Sequence, residues 1–534
     1  MLKLRSCLKS SQYINGIFQR WHSTVLPSQK LNESCLNKEN LEDLMARRQS
    51  EALRSIVVEV NKKDVCGQVY NHCKQFGEIK NAFVHTLNDA RTLMLLEYED
   101  ADAVNETFKF SGFKANTVQW PNRFLALRNS KLNPLLSADA PLQITNKDGP
   151  SITHILRNAT TFDEQVRLLY QHTQLTDFSV RLKFLTALQA QIVTNEYLDD
   201  IFPNAKVYPF GSSVNGFGKM GCDLDMVLHF KKNIDSIDEN SDMPLAFQGN
   251  QCESAEEIRK LAGCQVRCLA SMIDYLVPGT DVVTPIGNAR VPIVRYNDTN
   301  IDNSVDLSVN NMDSFHITEF MFAMGLMDQR IRPLVYMVRQ WYKNFEMDRY
   351  IGRENFTNFQ LSYMCLSFLQ QLKEPLIPTY DEMMNQITAH ESDNVVANIL
   401  KKPFIFNFDH FHFETKNTST VLELFIQFLV FVETFDFSKH MVTLRTTAKI
   451  MKPEPEPASE QQENQPQTPK KIMPLTCYMD NIFNSENAWG GNISDPEVST
   501  IKIMSKKTLT ILEECTAKSS GKDWGILQII KTLK

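Results

Sequence analysis

The sequence predicts an α+β protein in three parts: an N-terminal α/β sandwich, a middle unit built on a mixed β-sheet, and a mostly helical unit after it. Three observations predict this. Segments with the two-residue period of strands alternate with short helical stretches in the order βαββαβ between Ser55 and Arg128. Strand-like segments surround one long amphipathic stretch between Ala205 and Phe315, and helical periodicity dominates from Ile317 to His440. A chain of 534 residues with 43% hydrophobic and 22% charged residues has material for several cores.

The elements follow in order. The first 32 residues hold Lys3, Arg5, Lys9, Arg20 and Lys30 without any Asp or Glu, interleaved with Ser, Leu and aromatics. That composition is expected of a mitochondrial transit peptide over residues 1–32. Residues 51–130 form the sandwich, with strands at Ile56–Val60, Ile79–His85, Thr92–Tyr98 and Arg123–Leu127 and helices at Val65–Phe76 and Ala101–Phe110. The order resembles an RNA recognition motif, whose central strands stack bases on aromatic side chains. Here the third strand reads Arg91-Thr-Leu-Met-Leu-Leu-Glu97, without aromatics. The expectation is therefore a shared fold used for protein association rather than base stacking.

A Pro/Ser/Asn-containing linker covers Asn129–Ile152, and two amphipathic helices, Phe162–His172 and Phe178–Ile201, fill most of residues 160–200. Residues 201–316 carry strands at Lys206–Phe210, Cys222–His229, Arg290–Tyr296 and Ser304–Val309 and a helix at Ala255–Val277, interrupted by an acidic surface loop at Asp235–Glu253. The helical unit occupies residues 317–450 and 471–515, split at 451–470 by a Pro-, Glu- and Gln-rich insertion expected to be disordered.

The net charge of −7 argues against nucleic-acid binding by bulk charge and leaves a local basic cleft open. The eleven cysteines contain no CxxC pair and no zinc-finger spacing, so they read as free thiols, most of them in buried helix positions. No apolar run reaches the ~18 residues of a membrane span, because Gln427 and Glu433 interrupt Leu424–Phe435.

The chemistry sits in Phe210-Gly-Ser-Ser-Val-Asn-Gly-Phe-Gly-Lys-Met-Gly-Cys-Asp223-Leu-Asp225. A strand ends at Gly211-Ser212, and a short helix beginning there offers backbone N–H groups and a hydroxyl to a phosphate. Asp223 and Asp225 follow on a new strand, where residues two apart share a face. Asp306, in Val305-Asp-Leu-Ser-Val309, supplies a third carboxylate from a neighbouring strand. Three hard oxygen donors beside a phosphate cradle fit Mg²⁺ or Mn²⁺. A DxD alone is common; Gly-Ser, DxD and a later strand Asp in this order are specific.

This combination resembles the DNA polymerase β-like nucleotidyltransferases, and within them the non-classical poly(A) polymerases and terminal uridylyltransferases, over roughly Phe162 to Leu512. The resemblance implies a nucleotidyltransferase palm with a helical central domain, and catalysis by Asp223, Asp225 and Asp306. It implies that Arg339 and Lys343, on one face of the helix in Met327–Lys343, reach the triphosphate. Asn358-Phe359 stands where many relatives have Ser-Tyr, so Asn358 is expected at a phosphate and Phe359 against the base. Glu486 aligns, to within a residue, with a His of uridine-selective relatives. Mitochondrial members carry a transit peptide and an N-terminal RNA-recognition-like domain that helps them form homodimers, and the same is expected here.

The reading is a template-independent 3′-adenylyltransferase extending mitochondrial RNA from ATP, with a UTP-using enzyme as the alternative. A CCA-adding enzyme is disfavoured because no Arg-Arg-x-x-Asp motif is evident. A non-catalytic scaffold would tolerate loss of a carboxylate, and all three are present. Asn310 and Asn311 are expected to cap the following helix. His229 and His316 are expected to be packing or surface residues, and the aromatics of Phe435–Phe437 to be core.

Overall fold

A computed structural model describes residues 39–87, 89–128, 139–145, 152–159, 161–230, 254–346, 355–389, 402–406, 411–447, 450–451, 477–483 and 493–517. The expectations for residues 1–32, Asp235–Glu253, the insertion at 452–470 and Glu486 lie outside these residues.

The chain enters through α1 (Leu41–Leu53), whose N-cap Asn40 accepts the Asp43 N–H. The sandwich follows as β1 (Ser55–Val60), α2 (Cys66–Cys73), β2 (Ile79–Thr86), β3 (Thr92–Tyr98), α3 (Asp102–Lys109) and β4 (Phe124–Ala126), with a short β5 (Gln143–Ile144). Its sheet order is β4-β1-β3-β2-β5, so the expected βαββαβ unit gains one edge strand from the linker. Alternation along the strands divides the side chains between two cores. Ile56, Val58, Met94 and Leu96 face α2 and α3. Val57, Phe83, Leu93 and Leu95 face the other way, against Leu41 and Met45 of α1 and Phe178, Leu182 and Leu185 of a later helix. The face on which an RNA recognition motif stacks bases is thus covered by the chain itself, and β3 presents Leu93 and Leu95 there, its one aromatic, Tyr98, lying in the opposite core.

After α4 (Ile152–Asn158) and α5 (Phe162–Thr173) comes that later helix, α6 (Asp177–Tyr197). Thr161 and Thr176 cap α5 and α6 through their hydroxyls. Glu97 of β3, 1% exposed, accepts hydrogen bonds from Arg54, from Arg181 of α6 and from Asn81, each at 2.8 Å. Charged groups this deep persist only when paired, so the cluster fixes how the sandwich sits on α6. The other end of α6 supplies Ala187, Ala190 and Val193 to the core of the next sheet.

That sheet contains β6 (Lys206–Phe210), β7 (Leu224–His229), β8 (Thr280–Ile286), β9 (Ile293–Asp298) and β10 (Asn303–Val309) in the order β6-β7-β10-β9-β8, with α7 (Ala255–Leu276) crossing between β7 and β8. Only β7 and β10 run parallel, so the sheet is mixed as expected. Edge strand β8 was not evident in the sequence. It carries a register shift between Asp281 and Thr284, positive φ at Val282 and a proline, features that blur strand periodicity.

The helical unit comprises α8 (Met312–Met327), α9 (Ile331–Glu346), α10 (Asn358–Gln370), α11 (Tyr380–Thr388), α12 (Val421–Thr434) and α13 (Asp495–Ala517). Trp341 of α9 is fully buried against Phe425 and Phe428 of α12, and its Nε1–H donates to Thr508 of α13. Buried Glu319 of α8 accepts the Ile405 and Phe406 N–H groups. Phe435 and Phe437 are core residues, as expected. No helix among the described residues is long and apolar enough to cross a membrane. None of the seven described cysteines is in a disulfide; four are buried, and Cys264 and Cys268 are exposed on α7.

Candidate active site

The site is built on one row of paired residues across the second sheet. Phe210 pairs with Asp225, Asp225 with Asp306, Asp306 with Arg295, and Arg295 with Thr284. Leu224, Met226, Val305 and Leu307 point into the core beneath and are fully buried. The alternation of the two strands therefore lifts Asp225 and Asp306 together onto the opposite face. Asp223 sits one residue before β7 begins, exposed at its mouth.

At the end of β6 the chain makes a single tight turn over Gly211–Ser213. Gly211 has φ +66, and a Cβ there would lie 2.7 Å from Asp225 Oδ2. Glycine is thus required by the close approach of the Asp225 carboxylate and by the positive φ. Its N–H donates to Thr318 Oγ1 of α8 at 2.9 Å, so this donor is already engaged. Gly218 is equally constrained, because a Cβ would fall 2.0 Å from the Ser212 carbonyl oxygen.

Lys183 of α6, 2% exposed, donates to the Cys222 carbonyl at 2.6 Å and the Ser213 hydroxyl at 3.2 Å. It fastens the turn to the start of β7 from below. Burial lowers its pKa, while the nearby charges of Asp225 and Asp223 act the other way.

A basic cluster borders the glycine-rich loop. Burial lowers the pKa of Lys219, and the charges of Lys343 and Arg339 lower it further. Arg339 reaches the loop and donates to the Phe217 carbonyl, and burial brings its pKa down to about 10. Lys343, one turn on, is exposed. Three cations held this close repel one another unless a polyanion joins them.

Burial, then the charges of Asp306 and Asp223, push Asp225 up to about 6. Negative charges gathered around Asp225 call for a cation, and hard carboxylate oxygens are the donors Mg²⁺ or Mn²⁺ take. In chemical type the donors fit such ions, though the conformation described does not bring the three together. In this conformation Arg295 Nε and Nη2 donate to the two Asp306 oxygens at 2.7 and 2.6 Å. Among the described residues no three carboxylate, His or Cys side chains converge on one point.

Asn358 and Phe359 open α10 just after its cap Thr357, with Asn358 exposed and Phe359 packed partly against the helical core beside Tyr363. Of the caps expected at Asn310 and Asn311, only Asn311 takes the cap position. Asn310 has φ +48 and accepts the Phe230 N–H, while Asn311 occupies the cap position but directs its Nδ2 to Ser314 Oγ. His316 is buried, its Nε2 against the Lys402 carbonyl. Sequence reasoning missed Lys183, Lys219 and Arg295. Lys219 lies inside the quoted motif and could have been found there; the other two are brought in by tertiary pairing.

A model of the central palm domain of mitochondrial-like poly(A) RNA polymerases matches residues 162–324. The mitochondrial poly(A) RNA polymerase of Drosophila melanogaster is 32% identical over 429 residues, covering 78% of this chain and 69% of that protein. The human mitochondrial poly(A) RNA polymerase is 25% identical over 512 residues, covering 93% and 82%. The solved structure of mtPAP in complex with ATPγS superposes with a TM-score of 0.73 at 23% identity, covering 92% of this chain and 99% of that one.

Proposed function

This chain belongs to the mitochondrial poly(A) RNA polymerase family, and on that premise we propose how its site carries out the family's reaction. The protein is a template-independent adenylyltransferase that extends RNA 3′ ends in mitochondria. The RNA 3′-oxygen attacks the α-phosphorus of ATP, the bond from that phosphorus to the bridging oxygen breaks, and pyrophosphate leaves.

One observation carries the assignment of roles: Asp225 and Asp306 stand side by side in register, with Gly211 against Asp225. Asp223, Asp225 and Asp306 would hold Mg²⁺ or Mn²⁺, which when bound activate the 3′-hydroxyl and neutralise the departing pyrophosphate. The protein's own part is positioning and charge complementarity. Lys219 and Lys343 receive the triphosphate. Arg339 holds the glycine-rich loop through Phe217 while adding its charge. Gly211 and Ser212 bring the backbone and a hydroxyl to the phosphates, and Lys183 fixes the loop against β7.

Phe359 stacks on the base, Asn358 donates to a phosphate oxygen, and the Glu486 carboxylate accepts from adenine N6, which favours ATP over UTP. Residues 1–32 serve as the transit peptide, and the protein acts as a homodimer assisted by its N-terminal domain.

The test is a competition assay with equal ATP and UTP, Mg²⁺ and an oligoadenylate primer, with the tails sequenced. Adenine tails are expected, with a rate loss of at least ~10²-fold in Asp306→Asn, the size typical for removing a transition-state electrostatic group. Uridine tails would reverse the nucleotide assignment. Unchanged activity in Asp306→Asn would remove the carboxylates from the mechanism.

A further inference from the structure

The Arg295–Asp306 pair is unusual for its place. Both oxygens of a carboxylate assigned to the metal ions are taken by a guanidinium from the adjacent strand. The two residues are direct partners in the antiparallel β9–β10 pair, so the contact is set by register. Asp223 and Asp225 also lie within electrostatic reach of Arg295. The Arg295 side chain is 53% exposed, against 23% for Asp306, and the row continues on its far side to Thr284 of the edge strand β8. Arg295 is therefore free to swing outward, and what it guards is the deeper group.

The triphosphate-binding elements, Gly211, Lys219 and Lys343, all lie toward β6 and the glycine-rich loop. The row β6-β7-β10-β9-β8 leaves the β9–β8 side for the second substrate, the RNA end. The last phosphodiester of that RNA is an anion well matched to a planar guanidinium.

We propose that Arg295 is a counter-ion that exchanges partners: it clasps Asp306 in the substrate-free protein and passes to the terminal phosphodiester of the RNA when divalent ions load. Metal loading and RNA arrival are thereby coupled, and the protein is discouraged from assembling a reactive metal–nucleotide centre before an acceptor is present. The inference rests on the reading that Asp306 is a metal ligand.

The experiment titrates Mn²⁺ into the nucleotide-free full-length protein, following free Mn²⁺ by electron paramagnetic resonance, for the parent, Arg295→Gln and Arg295→Lys. Removing a unit charge ~6 Å from a divalent ion at a solvent-exposed site should tighten Mn²⁺ binding roughly tenfold at low salt. Arg295→Lys should stay near the parent. With a primer of varied length, Arg295→Gln should raise KM for RNA with little change in kcat, and reduce the dependence of log affinity on log salt by about one unit.

Unchanged or weaker Mn²⁺ binding in Arg295→Gln would overturn the exchange and leave Arg295 as a mere support for Asp306. A fall in kcat with KM unchanged would do the same. If the parent itself bound no Mn²⁺, or if Asp306→Asn bound it equally well, the metal-site reading would fail first and take this inference with it. Equal thermal midpoints for the three proteins exclude misfolding as the cause.

Discussion

Gly211→Ala should separate stability from catalysis. The perturbation adds one methyl group at a residue whose φ is +66. An L-residue in that region loses about 1 kcal/mol. The added Cβ lies 2.7 Å from Asp225 Oδ2, whereas ordinary contact begins near 3.4 Å, so the carboxylate must retreat by the difference. The backbone cannot easily give instead, because the Gly211 N–H is bonded to Thr318 of α8. A displacement of ~1 Å at a reacting group costs ~10²-fold, so a loss of roughly 10–100-fold in kcat is expected. Gly221→Ala is the matched control. Its φ is +73, but a Cβ there meets nothing within 4 Å. Both variants should lose similar stability by thermal melting, and only Gly211→Ala should lose activity in a primer-extension assay with Mg²⁺ and ATP. Equal kcat values for the two variants would refute the argument that Asp225 requires glycine at this position.

Two further outcomes are expected. Glu97→Ala strips the counter-charge from Arg54 and Arg181 and should cost about 3 kcal/mol, as breaking a buried pair does; a Glu97/Arg181 double-mutant cycle by chemical denaturation should show non-additivity above about 0.5 kcal/mol, and strict additivity would deny the link. Burial pushes the Glu319 carboxyl up to about 7, above its ordinary value of 4.5, so the folded protein prefers the protonated form. Its contribution to stability is complete below that ordinary value and is lost as the pH rises through 7. The fall in Tm between pH 5 and pH 8 should therefore be smaller in Glu319→Gln than in the parent, and equal falls would sink the assignment.

Much of this architecture is legible in the residues. Strands such as Thr92–Tyr98 and Lys206–Phe210 were found to the residue because apolar alternation and flanking turns coincide. The Gly-Ser, DxD and later Asp were legible as a set because alternation alone forces Asp225 and Asp306 onto one face. α1 was missed: its sequence, Leu-Glu-Asp-Leu-Met-Ala-Arg-Arg-Gln-Ser-Glu-Ala-Leu, is mostly polar and buries only a narrow stripe led by Leu41 and Met45. Lys183 lies 40 residues before Asp223 and looks like any surface lysine of an amphipathic helix until α6 turns it inward beneath the loop. Arg295 is unremarkable in sequence, since its meaning comes from the β9–β10 register. Local periodicity reports the face a residue occupies, and only strand pairing reports its neighbour.

The position of α6 bears on how such a protein can be rebuilt. Phe178, Leu182 and Leu185 belong to the core under the N-terminal sheet, while Ala187, Ala190 and Val193 belong to the core under the catalytic sheet. One helix therefore serves as a shared wall. A graft that exchanged the first 130 residues for those of a relative would bring a sheet shaped for another wall. It would leave Arg181 facing a foreign residue in place of Glu97. The natural unit of exchange runs through the first half of α6, and lineages that diverge in the N-terminal domain should show compensating changes there.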